Sequence, residues 1–146
     1  PIAWVPMSLH MAISDSLRDV VGPARNVEVW RSAMDLSYER PLLRSFVSLT
    51  VGIFGLSPGA LFRRASKMYG LITQHLGTLE FHPAGERGGT VELAGFPADK
   101  HRFVCYVEGL AGCLEATLAV CKVIGSVDVV DHDDRGRARY AVNWSG

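Results

Sequence analysis

The spacing of apolar residues changes after Gly77, and this change constrains the fold more than any other feature of the sequence. Before Gly77, apolar residues recur at intervals of three and four, the period of an amphipathic helix. After it, they alternate with polar residues over 78–83 and again over 90–94, and a glycine-rich turn at 84–89 separates the two stretches. Alternation on both sides of such a turn predicts an antiparallel β-hairpin.

The rest of the chain repeats this change of period. A helical pattern returns over 103–123, and two further strands are predicted at 127–130 and 137–144, joined by the polar turn 131–136. Helices and antiparallel strands that are segregated in this way are typical of an α+β fold. We expect N-terminal helices packed on an antiparallel sheet, with a hairpin–helix–hairpin C-terminal half.

Proline and capping residues divide the N-terminal half into helices. We predict four: residues 7–21 with Ser8 as N-cap, a helix from the N-cap Asn26 to about Arg40, a helix that begins at Pro41, and residues 58–76 between the N-cap Ser57 and the C-cap Gly77. The first helix is expected to carry its apolar residues on one side: Leu9, Ile13, Leu17, Val20 and Val21. The helix after Pro41 is apolar on most sides, which predicts a central position or a dimer interface.

Two glycines lie inside the predicted helix 103–123. Gly109 and Gly112 each cost about 1 kcal/mol relative to alanine in a helix. We therefore interpret them as sites where another backbone comes close, and we expect that backbone to belong to the sheet.

Composition limits the class of protein. With 146 residues, 48% of them apolar, the chain is long enough for one domain, 1–146, with a single core. Its 15 basic and 15 acidic residues argue against bulk electrostatic binding to nucleic acid or an anionic membrane. The best apolar run, 46–56, is too short for a membrane span, so no membrane insertion is expected. Three cysteines cannot form a disulfide framework and favour a reducing, cytoplasmic setting.

The residues that carry metal or catalytic chemistry are scattered. Cys105, Cys113 and Cys121 lie eight residues apart on one predicted helix, and each step climbs about 12 Å, too far to share a zinc ion or a disulfide. No two histidines have the spacing of a helical zinc site, and GxSxG and the glycine-rich nucleotide motifs are absent. The sequence predicts no metal, no cofactor and no enzyme; a cleft that joined His82, His101 and a carboxylate would reverse this last expectation.

The C-terminal half carries a family resemblance. FVCYVEGLAGCLEATLAVC, a helix with the pattern EGLAGxLE, lies between a hairpin and the strands VDVVDHDDRGRARYAVNW. This arrangement resembles bacterial four-vinyl-reductase-type ligand domains and TRAPP transport-tether subunits, whose superfamily also holds the haem-based nitric-oxide sensors. The whole chain, including VWRSAMDLSYERPLLRSFV and SPGALFRRASKMYG, more specifically resembles a myxobacterial paralogous family of unknown function.

The sequence departs from two of these relatives. The haem sensors use a proximal histidine and a Tyr-x-Ser-x-Arg motif, where this chain has Ser37-Tyr38-Glu39-Arg40. The vinyl-reductase-type domains often end in a cysteine-containing segment, whereas no cysteine follows Cys121. Haem and a terminal metal site are therefore not expected.

The resemblance and the predicted fold together imply a non-enzymatic cytoplasmic sensor or regulatory module. It would bind a small apolar ligand between helices and sheet, or a partner protein. The predicted pocket residues are Phe46, Phe62, Tyr69, Phe103 and Cys105. The alternative is a structural dimerisation or scaffolding domain without a ligand. In either case a homodimer is expected, formed through the helix after Pro41 or the helix 58–76.

Overall fold

The computed structural model describes residues 6–54, 57–97 and 100–145. These ranges form five helices and four strands: α1 (Met7–Val21), α2 (Pro23–Tyr38), α3 (Pro41–Phe54), α4 (Pro58–Ile72), β1 (Thr78–Pro83), β2 (Gly88–Ala94), α5 (Lys100–Val120), β3 (Ile124–His132) and β4 (Ala138–Ser145). The predicted α+β class and the hairpin–helix–hairpin C-terminal half are confirmed. Strands β2 and β3 are longer than predicted, β4 is shifted by one residue, and α5 begins and ends three residues earlier.

The four strands form one antiparallel sheet in the order β1-β2-β4-β3. Each hairpin supplies two neighbouring strands, and the central pairing joins the hairpins by placing Val91 opposite Tyr140. Burial alternates along β4, since Ala138, Tyr140 and Val142 are fully buried while Arg139 and Asn143 are exposed. One face of the sheet therefore belongs to the core, and the other is polar. Gly125 lies within β3.

Helix α5 is the centre of the domain. It contacts α1, α2 and α4 on the helical side and β3 and β4 in the sheet. The hydroxyl of Tyr140 donates to the carbonyl oxygen of Val107, 3.2 Å away, which fixes the sheet against the helix. By length and composition, Phe103–Val120 would be sufficient to cross a membrane, but 61% of that stretch is buried inside the fold, as in the core helix of a globular domain.

The two glycines of α5 face a helix and not the sheet, so this part of the prediction is wrong. A Cβ atom at Gly112 would lie 2.3 Å from the carbonyl oxygen of Val27, and one at Gly109 would lie 2.9 Å from Cδ1 of Trp30. Both contacts belong to α2. Close approach of a second backbone was the correct interpretation, and the missing side chains allow α2 and α5 to cross at short range.

Several predicted caps differ from the structure. Helix α1 follows Pro6 without a side-chain cap, and Ser8 lies inside it. Helix α2 begins at Pro23, so Asn26 is an interior helical residue, completely buried, and not an N-cap. A proline at the first helical position is well tolerated because its missing N–H has no partner there in any case.

The start of α4 is as predicted, and its end is not. The Ala60 amide donates to Ser57 Oγ at 3.2 Å, which confirms the N-cap. The helix ends at Ile72, and the amide of Thr73 closes its last turn on the Tyr69 carbonyl. Gly77 is therefore not a C-cap. It has a φ of 87° in the turn before β1, where a Cβ atom would meet the Ala94 carbonyl oxygen.

Much of the apolar side of α1 faces outward, although Leu17 and Val21 on it are half-buried. Leu9, Ile13 and Val20 are 52%, 53% and 84% exposed. The inward side carries Met11 and Ser14, which are buried, and the half-buried polar side chains described below. Tertiary contacts with α5, and not the apolar stripe, determine how this helix is oriented.

Candidate functional site

An open groove lies between α2, α3 and α5. Its volume is about 370 Å³, within the range of about 300–1,000 Å³ typical of small-molecule sites. The lining residues come from all three helices: Asp35, Tyr38, Glu39, Arg44, Val47, Ser48, Ala119 and Val120. Pro41 separates α2 from α3, and this break allows the two helices to form adjacent walls of one groove over α5.

The floor of the groove is apolar and well packed. Tyr38 forms a small core cluster with Leu43 and Ala116, and Val47 and Val120 pack against it. The Tyr38 hydroxyl lies 3.0 Å from Oγ1 of Thr117 in a buried hydrogen bond. Burial raises the pKa of Tyr38 to about 12, so the phenol is neutral at physiological pH.

The rim of the groove is charged. Asp35, Glu39 and Arg44 are all exposed side chains at its edge. An apolar floor with both signs of charge around it can hold a small amphipathic molecule, whose apolar part lies on Val47 and Val120 while its polar end stays near water.

A second feature is an aromatic cluster in the interior, between α4, α5 and the sheet. The Tyr69 hydroxyl donates to the carbonyl oxygen of Leu76 at 2.9 Å, and it lies 2.7 Å from the Tyr106 hydroxyl. Tyr106 therefore donates to Tyr69, which completes a chain from α5 to the turn before β1. The Phe96 ring lies 4.4 Å from that of Tyr106 and 5.1 Å from that of Phe103. Burial raises the pKa of Tyr69 to about 12 and that of Tyr106 well above its ordinary value.

A third feature is the polar junction, which we define as His10 and Arg18 on α1, Asn26 and Trp30 on α2, and Glu108 on α5. Arg18 forms two hydrogen bonds with the Glu108 carboxylate, from Nε at 2.8 Å and from Nη2 at 3.0 Å. Asn26 Nδ2 donates to the same carboxylate at 3.4 Å. The ring centroids of His10 and Trp30 are 5.2 Å apart. Burial lowers the pKa of His10, which favours its neutral imidazole.

Four of the predicted pocket residues, Phe62, Tyr69, Phe103 and Cys105, occupy core positions, and none of these four lines the groove. Phe62 packs on Phe81 and Trp144, and Tyr69 on Tyr106. Phe103 lies between Phe96 and His132. Cys105 is buried on the side of α5 that faces α1, where burial raises the pKa of its thiol to about 12. The side chain of Phe46 lies outside the described part of the structure.

Sequence reasoning did not find the groove. Large aromatic residues at helical spacing were expected to mark a pocket, but here such residues fill the core. The available signal was the proline between two helical stretches, since it allows Tyr38 and Val47 to face a common third helix.

Metal ligands are not grouped in the described residues. No three side chains among the histidines, cysteines, aspartates and glutamates described are placed to hold one ion. His82 Nε2 lies 3.9 Å from a carboxylate oxygen of both Glu80 and Glu92, but its side chain and that of Glu80 are well exposed on the polar face of the sheet. The side chain of His101 lies outside the described residues, so the expected test of a His82–His101 cleft stays open.

Comparison with known proteins identifies the fold. No family model and no curated protein sequence matches this chain. Solved H-NOX structures match it over nearly its whole length. One, from work on haem distortion in the H-NOX family, is 15% identical with a TM-score of 0.64, covering 100% of this chain and 76% of that one. An oxygen-binding H-NOX domain related to soluble guanylate cyclases is 15% identical with a TM-score of 0.61, covering 100% of this chain and 76% of that one.

A third structure agrees at still lower identity. An Fe(II) unliganded mutant of the H-NOX protein from K. algicida is 9% identical with a TM-score of 0.70, covering 99% of this chain and 76% of that one. Identity this low shows the architecture and not the site residues. The helices, the central α5 and the four-stranded sheet described above together form the H-NOX fold.

Proposed function

We propose that this chain is a non-enzymatic sensor or regulatory domain that binds a small amphipathic ligand in the groove between α2, α3 and α5, without haem. The observation that carries the proposal is the position of the groove. Two of its lining residues, Ala119 and Val120, belong to α5, the helix that links the helical half to the sheet. A ligand in the groove would therefore contact the central element of the fold directly.

The H-NOX fold raises the question of haem, and the described residues do not fit it. A haem iron takes a histidine, thiolate, methionine or tyrosinate ligand. His75, His82 and His132 are exposed, and His10 lies against Trp30 and Tyr106. The Tyr69 and Tyr106 hydroxyls are hydrogen-bonded to each other. Among the residues that the structure describes, the groove lining contains no histidine or cysteine.

The thiols argue in the same direction. Burial raises the pKa of Cys105 and Cys113 to about 12 and that of Cys121 to about 11. Nucleophilic catalysis needs the thiolate, which such values disfavour near neutral pH. This chemistry supports a domain without thiol-based catalysis, and the cysteine content favours a cytoplasmic setting.

The proposal is tested with the amphipathic dye 1-anilinonaphthalene-8-sulfonate and two matched variants. Ala119→Trp fills the groove from α5, whereas Ala33→Trp adds the same ring to an exposed position of α2 outside the lining. We expect the native chain and Ala33→Trp to bind about one dye molecule each, and Ala119→Trp to lose at least about tenfold in affinity. Equal binding by both variants would contradict the proposal. Native mass spectrometry of the purified protein would reveal any retained ligand.

A second candidate function is dimerisation without a ligand, favoured by exposed apolar residues on the helices. Leu36 on α2 is 65% exposed and Leu49 on α3 is 60% exposed, and α3 is apolar along most of its length. Exposed apolar surface of this kind is typical of protein interfaces. Sedimentation tests the homodimer: Leu49→Lys should shift the chain toward monomer, whereas Val20→Lys on α1 serves as the control. A native monomer at high micromolar concentration would exclude this candidate.

A further inference from the structure

The polar junction contains two buried atoms without a hydrogen-bond partner. They are Oδ1 of Asn26 and Nε1 of Trp30. Asn26 is completely buried, and its amide group is oriented by the bond from Nδ2 to Glu108. Turning the amide over would place Oδ1 against the Glu108 carboxylate, so Oδ1 must point away from it.

These two atoms are complementary and lie on the same side of α2. Residues four apart in a helix are neighbours on one face, with Cβ atoms about 5–6 Å apart. Asn26 offers an acceptor, and Trp30, one turn later, offers a donor. Buried polar atoms in folded proteins are paired in about nine cases out of ten, with protein or with ordered water.

The neighbouring groups do not supply a hydrogen-bond partner for these two atoms. The pyrrole part of the Trp30 ring lies on Gly109, since a Cβ atom there would be 3.1 Å from Nε1. The His10 ring packs against Trp30 from α1. The carboxylate of Glu108 is engaged by Arg18 and by the amide of Asn26. The indole N–H thus lies where α1, α2 and α5 meet. It packs against Gly109 of α5, which has no side chain.

We infer that the polar junction is a binding site for one small neutral hydrogen-bonding molecule, which accepts from Trp30 Nε1 and donates to Asn26 Oδ1. Water is the smallest molecule of this class, and buried waters usually have two to four such partners. This site is separate from the groove, which begins at Asp35, and its occupancy would link two successive turns of α2 beside Gly109 of α5.

Nuclear magnetic resonance of the indole group tests the inference. Trp30→Phe assigns the indole signal among the three tryptophans of the chain. In the native protein we expect a cross-peak from the Trp30 indole proton to a long-lived water. A cross-peak to a different small molecule, with a matching mass excess in native mass spectrometry, would also support the site and would identify the other source. Absence of both cross-peaks would overturn it.

Two variants separate this site from general packing. Asn26→Leu removes the acceptor and should abolish the cross-peak. Glu108→Gln alters the opposite side of the Asn26 amide but keeps an oxygen that can accept, so the cross-peak should persist. If Asn26→Leu does not fold, the native protein and Glu108→Gln still decide the question, because a missing cross-peak in both contradicts the inference.

Discussion

The carbonyl oxygen of Val27 on α2 lies only 2.3 Å from the position that a Cβ atom of Gly112 on α5 would occupy. The amide nitrogen of Arg31 is 3.0 Å from the same position. Both neighbours are backbone atoms, so they cannot move aside as the end of a flexible side chain can. We therefore expect Gly112→Ala to force α2 away from α5 and to lower the free energy of unfolding by about 1–3 kcal/mol or more.

Gly70 provides the matched control for this prediction. It lies in α4, and a Cβ atom there would meet nothing within 4 Å. Gly70→Ala should be neutral or should stabilise the protein by up to about 1 kcal/mol, because alanine has the better helix propensity. Chemical denaturation of both variants decides between the two effects. A neutral Gly112→Ala would show that the two helices are not in close contact.

The ion pair between Arg18 and Glu108 should contribute more than the ion pairs on the sheet. It has two hydrogen bonds, and the Glu108 side chain is only 18% exposed. Arg18→Met would leave that carboxylate with the Asn26 amide alone and should cost about 1–2 kcal/mol in unfolding free energy. Arg139→Met is the control, since Arg139 and Asp131 are both about half exposed and such pairs contribute little. Equal effects of the two substitutions would contradict this ranking.

The buried tyrosines predict a loss of stability in alkali. The pKa of Tyr69 is raised to about 12 in the fold, against about 10 in the unfolded chain. The folded state therefore keeps a proton that the unfolded state loses, and this contribution is complete below pH 10 and disappears as the pH rises from 10 to 12. Tyr38 behaves in the same way. Urea unfolding at pH 9, 10 and 11 should show a steeper decline for the native chain than for Tyr69→Phe. Parallel declines would show that Tyr69 does not contribute.

Much of the architecture was predictable because it depends on local patterns. Alternation identified both hairpins, and the Ser57-Pro58 pair identified the start of α4, since capping requires only neighbouring residues. The residue contacts between elements were harder to predict from the sequence. Asn26 has the chemistry of an N-cap, yet it is buried in a helix because Glu108, 82 positions away, accepts its amide.

The candidate site was less predictable than the fold, for a physical reason. Aromatic residues at helical spacing are found in packed cores as well as in pockets, and the sequence does not distinguish the two. Tyr69 and Phe103 lie in one core cluster, whereas the groove uses Tyr38 together with small and charged residues. The outward orientation of the apolar residues on α1 was hard to predict for a similar reason. It depends on Glu108, the polar partner that α5 supplies to Arg18.

The last prediction concerns haem and metals, which the H-NOX fold makes a necessary question. Cys105 and Cys121 are buried, and the buried tyrosine hydroxyls are engaged with each other, with Thr117 or with the Val107 carbonyl oxygen. His10 is the half-buried imidazole among the described histidines, and it packs between Trp30 and Tyr106. We therefore expect protein expressed with added haem precursor and purified with chelator to show no Soret absorption and an unchanged melting temperature. A Soret band that disappears in His10→Ala, or stoichiometric iron or zinc whose removal lowers the melting temperature, would contradict this prediction.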